Sequence, residues 1–319
     1  MAVSVESSRP ATSRQAVVFC CDENYYPYAL YAAAQIAALN PDALFDICIC
    51  SLSPLPQVPP AMQQAVRTCV LSFDGPDLDF SGDTRRTGVT FLRIALPEAL
   101  GEDYERILYL DSDIFVQRGG MNDLFRVDLG RHVLAAVRDN LQWRTSRKPV
   151  KDFETLGLCQ DKYFNAGVIL FDTAACRQIG LLQEAAALNE RVGGKLLRHD
   201  QTLLNGLAHR RWAELSPTWN WQYTWSSRLF EPYIYPHIIH FIGRVKPWND
   251  RSGILPQRFS RDLSNFLETV FPERAPLEIM PSLSPAAPLI AKMLAKHYLS
   301  RRRLARHLDR FSSDLSVIE

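Results

Sequence analysis

Short apolar runs of β-strand length alternate with longer helical patterns along the first part of the chain. The apolar runs cover residues 16–21, 45–51 and 69–73, and helical patterns at 26–39 and 59–67 lie between them. Helices that connect successive strands in this way predict a parallel sheet with helices on both faces. The pattern therefore predicts an α/β fold.

The alternation continues through the middle of the chain. Further strands are predicted at 107–110, 133–137, 164–171 and 234–242, and helices at 89–100, 173–192, 200–209 and 260–271. Residues 75–87 and 148–162 are polar and predict connections. These elements together predict one large domain over residues 15–272.

The two ends of the chain differ from this domain. Residues 1–14 are polar and are predicted to be disordered, and the proline-rich residues 273–288 predict a linker. The last segment, 289–319, is predicted to be a basic amphipathic tail. Its residues 289–311 carry seven basic side chains against one acidic, a net charge of +6, with apolar residues at helical spacing. Either this helix packs on the domain, or it lies on an anionic membrane surface.

Composition narrows the class of protein. Of the 319 residues, 47% are hydrophobic and 22% are charged, which is typical of a soluble globular protein. The net charge of +1 provides no overall basic field, so we expect no nucleic-acid partner.

The cysteines and the N-terminus bear on location. The seven cysteines are odd in number, form no C-x-x-C motif and lie mostly in apolar runs, which predicts buried thiols in a reducing compartment. The first residues lack the apolar core of a signal peptide, and no segment has the length of a membrane span. The predicted location is the cytoplasm, with the tail as a peripheral contact to the inner face of the plasma membrane.

An aspartate pair, Asp111-Ser112-Asp113, follows the apolar run at 107–110. Residues two apart in extended backbone point to the same side, so both carboxylates can reach one point. Two hard oxygen ligands at a strand end are half of a site for Mg²⁺ or Mn²⁺. The tripeptide alone also fits a strand-ending turn with solvated carboxylates.

Other polar groups follow other predicted strands. Asp22, Asn24 and Tyr25 come after the first strand, and Asp139 comes after the strand at 133–137. Ligands of parallel α/β sheets gather beyond the carboxyl ends of the strands, although the first group also fits a helix cap. The sequence contains neither G-x-G-x-x-G nor a P-loop. A bound phosphate would therefore be held by metal and side chains.

Three later segments add candidates: Asn165 and Ala166 before a strand, Asp200 and Gln201 at a helix start, and His240 followed by Gly243 and Lys246. Small residues such as Ala166 allow a ligand close to the backbone. Asp200 fits a helix cap equally well. An imidazole and an ammonium group together suit a site for a metal and a diphosphate.

Six segments taken in order resemble glycosyltransferase family 8: VFCCDENYY, FLRIALPE, RILYLDSDIFV, YFNAGVILFD, HDQTLLNGL and HFIGRVKPW. Within the family they are similar to the bacterial lipopolysaccharide α-galactosyl- and α-glucosyltransferases. The resemblance implies a GT-A fold with a Rossmann-like, mostly parallel sheet. It also implies a UDP-sugar donor, dependence on Mn²⁺ (Mg²⁺ being the other candidate) and retention of anomeric configuration.

The resemblance assigns residues to roles. Asp111, Asp113 and His240 would bind the metal. The donor-binding residues would be Cys20, Asp22, Asn24, Tyr25, Arg93, Ser112, Asp139, Asn165, Ala166, Gly243 and Lys246. Cys20 and Cys21 stand where the family usually has a small alanine-like pair before the first acidic residue, a departure that would narrow the uracil pocket. Asp200 and Gln201 are the candidate catalytic residues, with the Gln201 amide oxygen supporting positive charge on the sugar.

The implied activity is transfer of galactose or glucose from a UDP-sugar to a saccharide or glycolipid acceptor, such as lipopolysaccharide. Retention would arise by front-face attack, or through a covalent intermediate for which Asp200 is the candidate nucleophile. A nucleotide-sugar-forming nucleotidyltransferase and a silent UDP-sugar-binding module are the alternatives. The first would require a glycine-rich basic loop after the first strand, where this chain has Asp22 and Glu23.

Overall fold

A computed structural model describes residues 2–74, 88–145, 148–193, 196–224, 226–281 and 287–319. The predicted loop at 75–87 lies outside the described residues. The strands within them are β1 Ala2–Ser7, β2 Gln15–Cys20, β3 Asp46–Ser51, β4 Val66–Asp74, β5 Arg106–Leu110, β6 Ile114–Val116, β7 Leu134–Arg138, β8 Phe164–Asp172, β9 Trp212–Leu215, β10 Trp221–Gln222, β11 Ile238–His240 and β12 Val317–Ile318.

Helices connect these strands. They are α1 Tyr26–Leu39, α2 Leu92–Leu100, α3 Met121–Phe125, α4 Asn140–Arg144, α5 Lys151–Thr155, α6 Thr173–Gln178, α7 Leu181–Val192, α8 His199–Leu207, α9 Glu231–Ile234, α10 Gln257–Val270 and α11 Ala287–Leu308. Short 3₁₀ helices lie at Pro60–Met62, Gly88–Phe91 and Pro217–Trp219.

The large sheet has the strand order β1-β4-β3-β2-β5-β8-β7-β9-β12 in the part of the chain described. Strands β2, β3, β4, β5, β7 and β9 run in one direction, while β1, β8 and β12 run in the other. The predicted α/β fold with a mostly parallel sheet is confirmed. Because β8 is antiparallel, its first residues lie at the edge where its parallel neighbours end.

The two faces of this sheet carry separate cores. Alternate residues of β2 divide between them: Ala16 and Val18 pack in one cluster, Val17 and Phe19 in the other. The first cluster includes residues of α2, α6, α7 and α8, and the second includes residues of α1 and α3. The sheet is therefore covered on both faces, which leaves its edges for ligands.

A second, three-stranded sheet has the order β10-β11-β6. Strand β11 is antiparallel to β6, and His240 pairs in register with Ile114, the residue after Asp113. The backbone N–H of Phe241 donates to the Asp113 carbonyl at 3.0 Å. This pairing brings a late segment of the chain beside the aspartate pair.

Several predicted elements differ from the observed ones. Residues 1–14 are not disordered throughout, because β1 pairs antiparallel with β4 along its whole length. The helical pattern at 59–67 is a single 3₁₀ turn, since β4 begins at Val66. The predicted helix at 173–192 is two helices separated at Gly180, whose φ of +62° interrupts the helix.

The C-terminal region packs on the domain along one face. In α11, Leu304 and His307 are buried, His307 stacks on Trp143 at 6.2 Å between ring centroids, and β12 pairs with β9. Ile290, Leu294, Tyr298 and Leu299 of the same helix are exposed. Among the described helices, none combines the length and apolarity required to cross a bilayer.

Candidate active site

The aspartate pair lies where β5 ends, at the carboxyl edge of the parallel strands. The backbone N–H of Asp111 donates to the Gly167 carbonyl of β8 at 2.8 Å, which anchors the pair to the sheet. The Tyr109 hydroxyl donates to Oδ1 of Asp111 at 2.6 Å. Oδ2 of Asp111 is thereby left to face the other candidate ligands.

His240 completes a triangle with the two carboxylates. Its Nε2 lies 3.2 Å from Oδ1 of Asp113 and 3.5 Å from Oδ2 of Asp111. One ligand atom from each of the three residues lies within 4.8 Å of the other two. Two carboxylate oxygens and one imidazole nitrogen suit a divalent cation such as Mn²⁺ or Mg²⁺.

Gly167 makes room for this triangle. A Cβ atom there would lie 2.2 Å from Cε1 of His240 and 2.7 Å from Oδ2 of Asp111. Small residues in this segment were expected to admit a ligand to the backbone, but at Gly167 the space is taken by the two candidate metal ligands. The convergence of these side chains on one point fits a bound cation.

Lys246 adjoins the triangle. Its Nζ pairs with Oδ2 of Asp113 and donates to the carbonyl of Phe241. Burial favours the neutral form of Asp113, but His240 and Lys246 outweigh burial and lower the pKa of this carboxyl. Asp113 is therefore held as a carboxylate, the form that binds a cation.

Arg93 links the metal triangle to the start of α8. Its Nη1 lies 3.0 Å from Oδ1 of Asp111 and 2.7 Å from the Ala166 carbonyl, and its Nε lies 2.8 Å from Oδ2 of Asp200. The guanidinium also stacks on the ring of Tyr109 at 4.5 Å. These contacts hold Arg93 in one orientation beneath the site.

Asp200 is the second residue of α8 and is buried. Arg198, and not Asp200, takes the N-cap position of α8, although the backbone N–H groups of Asp200 and Gln201 in its first turn favour the Asp200 carboxylate. Burial raises the pKa of Asp200 to about 6; the Arg93 guanidinium opposes this effect and the Asp111 carboxylate adds to it. The carboxyl of Asp200 thus titrates closer to neutrality than an ordinary aspartate.

Gln201, Asn165 and Asp139 lie side by side. Oε1 of Gln201 accepts from the backbone N–H of Ala166 at 3.1 Å and from Nδ2 of Asn165 at 3.4 Å. Its Nε2 lies 3.5 Å from Oδ2 of Asp139, a buried carboxyl whose pKa is raised by burial. The structure therefore directs the Gln201 amide oxygen toward the backbone of β8.

The segment after β2 forms the other wall. Oδ1 of Asp22 accepts from the backbone N–H of Tyr25 at 3.0 Å, so its carboxylate does cap the turn that leads into α1. Tyr25 and Asn24 are exposed, and Cys20 is half-buried. Burial raises the pKa of Tyr25, and Asp113, Asp22 and Asp111 raise it further. Tyr25 thus lies in the field of the aspartate pair.

The remaining predicted residues also border this edge. Ser112 is buried, and its hydroxyl lacks a hydrogen-bond partner among the described residues. A Cβ atom at Gly243 would meet no described atom within 4 Å, so this glycine faces open space.

Sequence reasoning missed two residues at the site. Asn220 is buried, and its Oδ1 lies 3.0 Å from Nδ1 of His240. Trp248 stacks on Tyr28 at 3.8 Å and lies 6.0 Å from Tyr25 between ring centroids. Periodicity reveals neither contact, because each joins segments far apart in the chain.

Comparisons with known proteins agree with this geometry. The profile of glycosyl transferase family 8 matches residues 16–252. A probable glycosyl transferase Gly of Streptococcus gordonii is 31% identical over 166 residues, which cover 50% of this chain and 22% of that protein. The lipopolysaccharide 1,3-galactosyltransferase of Salmonella typhimurium is 27% identical over 199 residues, 59% of this chain and 58% of that protein.

A solved structure of similar fold is the galactosyltransferase LgtC in complex with donor and acceptor sugar analogues. It superposes with a TM-score of 0.63 and 21% identity, over 78% of this chain and 95% of LgtC. Among the relatives found by sequence, the match spans 22% of the length of Gly and 61% of the length of the Bacillus subtilis general stress protein A.

Proposed function

The chain belongs to glycosyltransferase family 8, and on that basis we propose that it transfers galactose or glucose from a UDP-sugar to a saccharide acceptor with retention of configuration. The acceptor class we propose is a lipid-linked cell-surface glycan such as lipopolysaccharide. The observation that carries the proposal is the triangle of Asp111, Asp113 and His240, with Lys246 beside it.

In this proposal Asp111, Asp113 and His240 hold Mn²⁺, or Mg²⁺ in its place. Such an ion, when bound, stabilises negative charge on a departing diphosphate. Lys246 reaches the same point from the other side and would move from Asp113 to a diphosphate oxygen. Gly243 allows the diphosphate to approach the backbone, and Ser112 offers a hydroxyl whose bonding capacity is not used by described residues.

The remaining site residues would place the rest of the donor. Cys20, Asp22, Asn24 and Tyr25 lie on the wall that would receive uracil and ribose. Arg93, Asp139, Asn165, Ala166, Asp200 and Gln201 surround the position of the sugar. Asp200 and Asp139 would accept hydrogen bonds from its hydroxyls.

For the transfer itself we propose front-face attack, in which a diphosphate oxygen takes the proton of the acceptor hydroxyl. Arg93 pairs with Asp200 at 2.8 Å, and this pairing supports a holding role for the carboxylate over a nucleophilic one. Support of positive charge by Gln201 would require its oxygen to turn from the Ala166 N–H that it accepts from here.

We further propose that α11 binds the anionic inner face of a membrane. Helix α11 combines exposed Leu294, Tyr298 and Leu299 with exposed Lys292 and Lys296. Each basic residue near such a surface contributes about 1 kcal/mol. Removing the whole tail would uncover the core around Leu304, so substitution is the sharper test.

The test of the membrane contact is sedimentation with vesicles that contain anionic lipid. A variant with Leu294→Ser, Tyr298→Ser and Leu299→Ser should lose most binding, whereas wild type should bind and should dissociate at high salt. A matched variant with Tyr233→Ser, at an exposed tyrosine of α9, should bind like wild type. Equal binding by all three proteins would contradict the proposal.

The test of the activity is release of UDP from UDP-glucose and from UDP-galactose, each with Mn²⁺ and with EDTA. Turnover of one donor that requires Mn²⁺ supports the transferase. Asp111→Asn should lower turnover by at least about 100-fold, because the metal would lose a charged ligand. Donor binding without turnover would favour a silent binding module, and release of diphosphate from a nucleoside triphosphate would favour the nucleotidyltransferase.

A further inference from the structure

Two neighbouring cavities lie at the end of the three-stranded sheet that is remote from the metal triangle. Their volumes are about 650 and 630 Å³, and Gln117 and Tyr235 line both, so they form one groove, hereafter the distal groove. Gln117 directly follows β6, whereas Asp113 directly precedes it. Tyr235 lies shortly before β11, whereas His240 is the last residue of that strand. A three-residue strand spans about 10 Å, so the distal groove is separate from the metal triangle.

Tyr235 lies between the two cavities in a strained backbone conformation. Its φ of +47° is in the left-handed region, which favours glycine over a bulky residue. Two hydrogen bonds hold it there: its N–H donates to the Glu231 carbonyl at 2.8 Å, and its carbonyl accepts from Nη1 of Arg118 at 3.0 Å. The side chain is nevertheless 56% exposed. Backbone strain that is held by neighbouring contacts is found mostly at functional sites, so this exposed ring is a candidate for ligand contact.

Polar side chains of the distal groove are fixed around a buried carboxylate. Glu231 is buried and accepts from Nη2 of Arg258 at 2.8 Å and from Nε2 of Gln117 at 3.2 Å. Tyr233, from the same short helix as Glu231, is 89% exposed and lines the groove beside them. Guanidinium and amide groups carry several donors and acceptors, so groups held in this way can also bind hydroxyl groups of a ligand.

The charges of the distal groove are balanced. With histidine counted as neutral, the described lining residues comprise three basic and three acidic side chains: Arg118, Arg228, Arg258, Asp123, Glu231 and Asp314. A balanced surface has no net attraction for a phosphate or for a cation. Exposed tyrosine rings suit the apolar C–H face of a sugar ring, and the polar groups suit its hydroxyls. The groove therefore fits a neutral saccharide.

We propose that the distal groove is a second saccharide-binding site, which holds neutral sugar residues of the acceptor remote from the hydroxyl that reacts. Tyr233 and Tyr235 stack on sugar rings. Gln117 and Arg258 bind sugar hydroxyls. Holding a distant part of the acceptor raises the effective concentration of its reacting end at the metal triangle. The identity of the ligand as acceptor rests on the proposed function.

The experiment measures saccharide binding without donor and with EDTA, so that binding does not depend on the metal. An array of neutral hexose oligosaccharides identifies a ligand of the wild type, and isothermal titration gives its Kd. Tyr235→Gly should raise this Kd at least about 5-fold. Because glycine adopts the left-handed conformation without strain, the variant should keep a thermal stability close to that of the wild type. Tyr233→Ser, at a highly exposed position, should also raise the Kd.

Tyr298→Ser is the matched control, at an exposed tyrosine of α11 that does not line the groove. This variant should keep the Kd of the wild type. The proposal is overturned if the wild type binds none of the neutral oligosaccharides, or if Tyr235→Gly and Tyr233→Ser both keep the wild-type Kd.

Release of UDP by the wild type without acceptor tests the transferase separately. Turnover of a donor without saccharide binding would overturn the distal groove alone. Saccharide binding that is weakened by the two tyrosine substitutions, in a protein that turns over neither donor, would contradict the transferase while the groove remained a saccharide site.

Discussion

Gly167 lies against the imidazole of His240 so closely that a Cβ atom would approach its Cε1 to 2.2 Å. The same atom would lie 2.7 Å from Oδ2 of Asp111. Both contacts are far inside van der Waals distance, so any larger residue at 167 must displace one or both side chains. A backbone position of β8 thereby controls the shape of the metal triangle.

Gly167→Ala should therefore weaken cation binding. We expect the Kd for Mn²⁺ to rise at least about 10-fold, as when a supporting residue of a metal site is changed, and turnover to fall with it. Isothermal titration measures the affinity. Gly180→Ala is the control, because Gly180 lies between α6 and α7 and not at the metal triangle. Since the φ of Gly180 is +62°, this change should lower the free energy of unfolding by about 1 kcal/mol. Equal affinities in the two variants would contradict the prediction.

Lys246→Met should change metal and donor binding in opposite directions. Lys246 pairs with Asp113 in the ligand-free site, so removing its charge relieves competition and should tighten Mn²⁺ binding several-fold. Loss of a charge-assisted contact of about 1.5–3 kcal/mol should weaken UDP-sugar binding roughly 10- to 100-fold. Titration of the variant with Mn²⁺ alone, and then with donor, separates the two effects. Weaker binding of both ligands would show that Lys246 supports the metal site structurally.

Asp200 should make stability depend on pH. Its pKa is about 6 in the folded protein against an ordinary value of 3.8, so between these values the folded state binds more protons than the unfolded state. The contribution of Asp200 to the free energy of unfolding therefore falls as the pH rises through this window, by up to about 3 kcal/mol. Urea unfolding of wild type and Asp200→Asn across the window measures it. The wild type should lose stability relative to the variant as pH rises, and a constant difference would contradict the assignment.

Arg310→Ala should loosen the C-terminal segment. Glu214 is fully buried, and Arg310 binds its two carboxylate oxygens at 2.9 Å each. In the variant, Arg138 is the remaining close ion-pair partner of this carboxylate among the described residues. Loss of the Arg310 contacts should lower the free energy of unfolding by about 1–3 kcal/mol. Thermal unfolding measures the loss of stability, and faster exchange of the amide protons of β12 would show that the C-terminal segment is less firmly bound. Arg302→Ala, at an exposed position of α11, should change stability by less than about 0.5 kcal/mol.

Local patterns were sufficient for the elements whose packing agrees with their own periodicity. Helix α1 and the neighbouring parallel strands β2 and β3 lie where the apolar pattern predicts them, since a buried strand and a helix between strands have distinct spacing. The pattern failed for residues 2–7, where a polar segment gains its structure from hydrogen bonds to the free edge of β4. Edge pairing depends on a partner strand, which composition does not reveal.

The sequence by itself determined the α/β class, the aspartate pair at the end of β5, and a set of polar residues in the order of one transferase family. Each of these is local in the chain. Only the tertiary structure decided that β8 runs antiparallel and presents Asn165 and Ala166 at the site, and that β11 pairs with β6 to bring His240 to Asp113. It also decided the contacts of Gly167 and Asn220 with His240. Strand direction and pairing arise from contacts between distant segments, so they are properties of the packed chain rather than of any stretch of it.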